Sequence, residues 1–278
     1  MPFVTDIVGP QRPVTEWPPP LRPGTRRRTS TIDTHPQDPH TADVQLRARD
    51  IRSNSSGNHD VLDDVVVVAR LTDRVIAEIS CDDPRLGRLR GGARVGGAGF
   101  RAIVRDLLGS DAAGSPALYL LLDDWVGASL VTGGYGGAHH ADITAGGVEW
   151  PMSDGISDHL TGICSGFAPG ASAVDFSRRN LLMPCVRGPL APPLGGEMHP
   201  RGTLRPHGMR RMRRLDVLQD GAAAAFDAHF RDSHVDAEGI ETIVHEYTVV
   251  GEIDLSSLSI SRLTAEARVL PWQECPGA

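Results

Sequence analysis

The chain has 278 residues, with 28 basic against 35 acidic side chains and a net charge of −7. That length holds one large or two small domains with a buried core. The acidic balance argues against general nucleic-acid binding, which needs a concentrated basic face. Every basic residue is arginine, and Ala, Gly, Pro and Asp are abundant, a composition that fits a GC-rich bacterial genome.

Residues 1–25 are Pro-rich and are expected to be extended or disordered. They lack the apolar run of a secretory signal, and the Arg26-Arg27 pair is followed by polar residues rather than the stretch a twin-arginine signal requires. A strand is expected over about 28–34. A second follows over 43–51, where Val44, Leu46 and Ala48 alternate with Gln45, Arg47 and Arg49. The turn 53–58 leads to a β-branched strand over 61–72, a tight turn at Thr72-Asp73-Arg74 and a fourth strand over 75–80. Phe100, Ile103, Val104, Leu107 and Leu108 recur at helical spacing, with Gly109 able to end the helix. Residues 118–130 form a second apolar segment, read as a helix, with a buried strand at Tyr119-Leu120-Leu121-Leu122 as the alternative. It is too short to span a bilayer and contains Asp123 and Asp124. The stretch 133–206 is rich in Gly, Pro, Ser and Asp and reads as a long linker. Its glycine runs do not make a phosphate loop, because the chain has no lysine to complete one.

The last segment, 207–278, repeats the first meander. Residues 26–80 and 210–264 match at an offset of 182–183, with an arginine cluster, an alternating strand ending in Arg-Asp (Arg49-Asp50, Arg231-Asp232) and a long β-branched strand in the same order. The facing phase agrees as well, Val44, Leu46 and Ala48 falling on Phe226, Ala228 and Phe230, and a one-residue slip would invert it. The pattern reads as a duplicated unit. The arginine clusters are read as solvated strand starts.

Taken together, the arginine-led strand, the run Phe226 to Asp232, Val244-His245-Glu246-Tyr247, the ending Leu270 to Pro276, and Gly99-Phe100-Arg101 resemble a bacterial family, the domain of unknown function number 2889. The resemblance covers most of 26–131 and 205–278. It implies a shape rather than a reaction. A Cys-Thr-His-Leu motif is usual in the family's helical part. Here the corresponding stretch is Ser115-Pro116-Ala117-Leu118-Tyr119-Leu120, and after the second meander the chain ends at Ala278 before such a stretch occurs. A shortened remnant of a longer family member is therefore one expectation.

Three residues are candidate catalytic groups. His245 lies on the apolar phase of its strand, and Asp232 is placed to orient it as a general base. The alternative is a core histidine satisfied by its neighbours. Cys275 is a thiol that would act as a nucleophile beside His245, or else a buried structural cysteine. His139, His140, Asp142, Asp154, Asp158, His159 and Cys164 can bind metals but lack a ligand spacing, so no metal and no cofactor are expected. Cys81, Cys164, Cys185 and Cys275 are far apart and read as reduced thiols of a cytoplasmic protein.

The expected architecture is mainly β with a small helical insert. Two antiparallel four-stranded meanders pack as a sandwich or a pseudo-symmetric barrel, since each has one apolar face to bury. The units are a Pro-rich N-terminus 1–25, a first meander with helices 26–132, a linker 133–206 and a second meander 207–278. Two functions stay open: a binding or catabolic protein receiving a small, partly apolar metabolite between the halves, or a non-catalytic structural or partner-binding protein. The expected partners are a small molecule and a second copy of the chain, and neither nucleic acid nor membrane.

Overall fold

The computed structural model describes residues 8–16, 20–38, 40–96, 99–109, 116–132, 148–149, 161–172, 174–175, 182–183, 187–192 and 198–277. The first meander consists of β1 (Arg26–Pro36), β2 (Thr41–Ser53), β3 (His59–Thr72) and β4 (Val75–Ser80). Its two-residue β3–β4 turn places Asp73 and Arg74 at φ 50° and 65°, the left-handed pair that matches the twist of a hairpin. Two helices follow, α1 (Phe100–Leu108) and α2 (Pro116–Val131), then a two-residue pairing of β5 (Val148–Glu149) with β6 (Leu182–Met183). The second meander is β7 (Met209–Asp220), β8 (Ala223–Val235), β9 (Glu241–Asp254) and β10 (Ser259–Val269).

All eight long strands form one antiparallel sheet in the order β10-β9-β8-β7-β1-β2-β3-β4. The fold is thus mainly β with a small helical insert, but the halves are neither stacked as a sandwich nor closed as a barrel. They join edge to edge, β1 against β7, from Arg26 opposite Val217 to Thr34 opposite Met209. This junction satisfies the backbone groups of both first strands, which face-to-face stacking would have left as two open edges.

The two arginine clusters hold this seam. Arg27 donates through Nε and Nη2 to both carboxylate oxygens of Asp216 (2.6 and 2.7 Å). Arg210 does the same to Asp33 (2.7 and 2.6 Å). Both pairs sit directly opposite each other across β1 and β7. The next arginine in each cluster points to the other face and clamps its own hairpin, Arg28 to Asp50 (2.6 and 2.5 Å) and Arg211 to Asp232 (both 2.8 Å). The expectation of solvated strand starts is therefore corrected: Arg27 is 3% and Arg210 8% exposed. A guanidinium can be buried in this way because its planar fork satisfies a carboxylate with two parallel bonds. A β-bulge follows Asp50 in the first meander and Asp232 in the second, so the two halves break alternation at matching positions.

The faces differ. On the helix side, Ile32, Leu46, Ala48, Val65 and Val67 pack beneath α2, whose Leu118, Leu121, Leu122 and Trp125 are buried. Helix α1 contributes Phe100, Val104 and Leu108 at four-residue spacing, and the Phe100 ring meets the edge of Trp125 at 5.9 Å. This apolar cluster belongs to the first half. A smaller one, Leu270, Trp272 and Cys275 with Val8, Phe167 and Tyr247, covers part of the second. The opposite side is polar. An extended N-terminal strap crosses it, with Arg12 N–H bonded to the Arg268 carbonyl (2.7 Å) and Val14 N–H to Glu246 (2.7 Å). His199 lies on the same side, wedged between Thr29 and Thr31.

Candidate functional site

The registers set two rows of side chains across the helix side. One reads Val67, Leu46, Ile32, Arg211, Asp232, His245, and the next Val65, Ala48, Ser30, Arg213, Phe230, Tyr247. Each row is apolar under α2 and becomes charged or aromatic past the seam. A bulge breaks the alternation of β9 beside His245: Ile243 pairs with Ser233 and His245 with Asp232.

His245 Nδ1 is 3.1 Å from Asp232 Oδ2, so the two candidate residues meet. With Asp232 ionised, Nδ1 is the protonated nitrogen of the ring. Asp232 is 2% and His245 22% exposed at the side chain. Burial opposes ionisation of Asp232, but the Arg211 guanidinium and the bonds from Arg211 and His245 outweigh it. They hold the carboxyl well below the usual carboxylate range. Arg211 is shared. Its Nη1 also donates to Asp124 of α2 (3.1 Å), and Arg213 reaches Asp124 through Nε and Nη2 (both 2.7 Å). The two guanidinium carbons lie 4.9 and 5.0 Å from the centre of the Phe230 ring. Gly127 makes room for Arg211, since a Cβ there would stand 2.2 Å from Nη1.

Asp124, Arg211, Arg213 and Gly127 were not read as site residues from the sequence. The available signal was the Asp123-Asp124 pair in a largely apolar helix, one of which must turn inward and so requires a buried cation. In the first half the row ends in Asp63 opposite Asp50, with Arg28 clamping Asp50. The Arg–Asp clamp is thus common to both halves, and the imidazole is particular to the second.

Cys275 is buried beside Trp272, and a Cβ at Gly166 would lie 2.8 Å from its sulfur. Burial pushes the thiol up to about 11, so it stays protonated at neutral pH and is a poor nucleophile. The Tyr247 hydroxyl is likewise pushed up to about 12 by burial. Glu274 accepts from the Ser172 amide (2.7 Å) and hydroxyl (3.0 Å), tying the C-terminal segment to Ser172. Ala117 and Leu118, in the first turn of α2, are buried in the core. His139, His140, Asp142, Asp154, Asp158 and His159 lie outside the described residues, and Cys164 is exposed. Among the described residues no group of three or more His, Cys, Asp or Glu side chains converges as a metal site, and no helix is long and apolar enough to cross a membrane.

The strap side carries a second arrangement. Glu246 accepts from His229 Nε2 (2.8 Å) and from Arg231 Nε (2.6 Å), and Arg214 bridges Asp216 and Asp227. Burial lowers the affinity of His229 for a proton despite Glu246. Over this network runs a trough. A cleft of about 760 Å³ is lined by Leu21, Arg22, Leu218, Ala225, Asp227, Val250, Arg262 and Thr264 among others. A neighbouring one of about 310 Å³ shares Asp227, Val250 and Thr264 and adds Glu16, Arg214, His229, Glu266 and Arg268. The first begins at the seam, at Thr25 and Asp216, and both extend over β8–β10.

The fold and its sites therefore define an open, mainly antiparallel sheet with an Arg–Asp–His row on the helix side and a ligand-sized trough on the strap side. The family described as "Protein of unknown function (DUF2889)" matches residues 209–278, which are the second meander and the C-terminal segment. No curated protein and no solved structure matches the chain.

Proposed function

We propose that the protein binds a small, partly apolar metabolite in the strap-side trough, without needing the Asp232–His245 pair for chemistry. The observation that carries this reading is the lining. Leu21, Leu218, Ala225 and Val250 offer apolar floor, and Arg22, Arg262, His229 and Arg268 stand around it. Small-molecule sites combine a mostly apolar surface with a few oriented polar groups in roughly 300–1,000 Å³. The trough starts where the halves meet, which is where a site between two related units is expected. Its test is native mass spectrometry of protein purified without denaturation. The reading expects a bound small molecule on the wild type that is absent from Val250→Trp, which fills the floor. Equal occupancy of both proteins would overturn it.

A second reading is favoured by one observation, the hydrogen bond that orients a part-exposed His245 ring. In it, His245 is a general base aimed by Asp232. His245→Ala would then abolish turnover with little change in stability. On the first reading the same change lowers the melting temperature and leaves trough binding intact.

The two meanders are read as descendants of one duplicated unit. Paired arginine clusters, the matched bulges and the equivalent Arg28–Asp50 and Arg211–Asp232 clamps support this. A bacterial, cytoplasmic setting fits the lysine-free composition and the free thiols of Cys81, Cys164 and Cys275.

A further inference from the structure

The two outer edges of the sheet are treated differently. The outer side of β4 is occupied by residues 91–95: Ile76 N–H bonds to the Ala93 carbonyl (3.2 Å), Val95 N–H to the Arg74 carbonyl (2.9 Å), and Val75 bridges Arg94. Among the described residues, the outer side of β10 bonds to the strap at its C-terminal end, where Gln11 bridges Val269 and Arg12 bonds Arg268. From Ser259 to Glu266 every residue of β10 is exposed, with Ile260 at 58% and Leu263 at 55%. An exposed edge of this length templates pairing with another strand unless something blocks it.

We propose that β10 pairs with β10 of a second copy, antiparallel, so that two chains form one continuous sheet. The side-chain order selects both the occupant and the register. The dyad that joins the halves within the chain runs perpendicular to the sheet, because β1 and β7 meet with like faces on one side and Ser30 opposite Arg213 at the centre. The same operation on β10 must centre on a residue. Centred on Thr264, Arg262 lies opposite Glu266 of the partner and Glu266 opposite the partner's Arg262, while Leu263 faces Ala265 in both directions. Centred on Ala265, Arg262 would instead face Arg268, a like-charge pair. Centred on Leu263, Glu266 would face Ile260 and Arg262 would face Thr264. Opposite charges across an antiparallel pair stabilise it and like charges oppose it. The Thr264 register is thus the self-complementary one.

It also repeats the logic of the intrachain seam, where Arg27 faces Asp216 and Asp33 faces Arg210 symmetrically about the centre. The existing partners of these residues do not compete strongly. Arg262 meets Glu252 at 71% and 41% exposure, and Glu266 meets Arg268 at 48% and 32%, and such surface pairs contribute little.

Sedimentation velocity over a range of concentrations tests the proposal on the full chain. The wild type is expected to show reversible dimerisation. Arg262→Glu and Glu266→Arg each place like charges opposite one another twice per dimer and are expected to weaken association roughly tenfold. The double variant R262E/E266R restores the complementary pairs and is expected to recover it. Circular dichroism confirms that each variant keeps its sheet. A wild type that stays monomeric, single variants that dimerise as tightly as the wild type, or a folded double variant that fails to recover would each overturn the proposal. Arg262 and Glu266 also line the trough, so trough occupancy is read by native mass spectrometry on the wild type and Val250→Trp alone, and association by sedimentation alone.

Discussion

Lowering the pH should destabilise the protein through His199. Its ring is 2% exposed and bonded at both nitrogens, Nδ1 to the Thr29 hydroxyl at 2.9 Å and Nε2 to the Thr31 hydroxyl at 2.8 Å. Two hydroxyls serve a neutral imidazole well, since each can donate or accept. Burial, with Arg201, Arg49 and Arg47 nearby, moves the ring from 6.5 down to about 4. The folded state thus binds fewer protons than the unfolded chain between those values. Stability is intact above pH 6.5, falls as the pH drops through the window, and loses nothing more from this group below about pH 4. At about 1.4 kcal/mol per pH unit across the gap, His199 accounts for about 3 kcal/mol. Urea unfolding at a series of pH values, on wild type and His199→Gln, isolates it, because the other histidines and carboxylates are common to both proteins. The variant is expected to be less stable at pH 7, and the two curves should converge by about 3 kcal/mol as the pH approaches 4. Parallel curves throughout would refute the reasoning.

Two further substitutions probe the helix-to-sheet link. Asp124→Ala leaves Arg211 with only Asp232 and releases Arg213, whose side chain is 42% exposed. Breaking a buried pair costs about 3–5 kcal/mol, and the exposure of Arg213 argues for the lower end, read by chemical denaturation. Gly127→Ala would gain about 1 kcal/mol in an ordinary helix, but here the new Cβ meets the Arg211 guanidinium. It should destabilise the wild type and become stabilising in an Arg211→Ala background, as a thermal-melt comparison of the four proteins would show.

Strands and helices were legible because their signals are local. The alternation at Val44, Leu46 and Ala48 and the spacing of Phe100, Val104 and Leu108 mark their elements without reference to the rest of the chain. The Asp232–His245 pairing was legible too, since adjacent antiparallel strands bring facing-phase residues together. The joining of the halves was not. The apolar stripes of the two halves are compatible with either arrangement, since a helix can cover a stripe that the other half leaves bare, and the opposition of Arg27 to Asp216 and of Arg210 to Asp33 across β1 and β7 belongs to the edge-to-edge one. A guanidinium destined for a carboxylate 177 residues away looks, in sequence, like a solvated one. His199 was hidden in the same way, in a Gly- and Pro-rich stretch, with its partners Thr29 and Thr31 170 and 168 residues away. The trough depends on where the strap crosses β8–β10, which no periodicity encodes.

The central claim is that ligand binding belongs to the trough and not to the Asp232–His245 row. A fluorescence titration with the apolar dye anilinonaphthalene sulfonate tests it most directly, using wild type, Val250→Trp and His245→Ala at a temperature where all three are folded. The account predicts saturable binding to the wild type, at least tenfold weaker binding to Val250→Trp (about 1.4 kcal/mol) and unchanged binding to His245→Ala. Equal affinity for wild type and Val250→Trp, with loss in His245→Ala, would contradict it and move the site to the helix side.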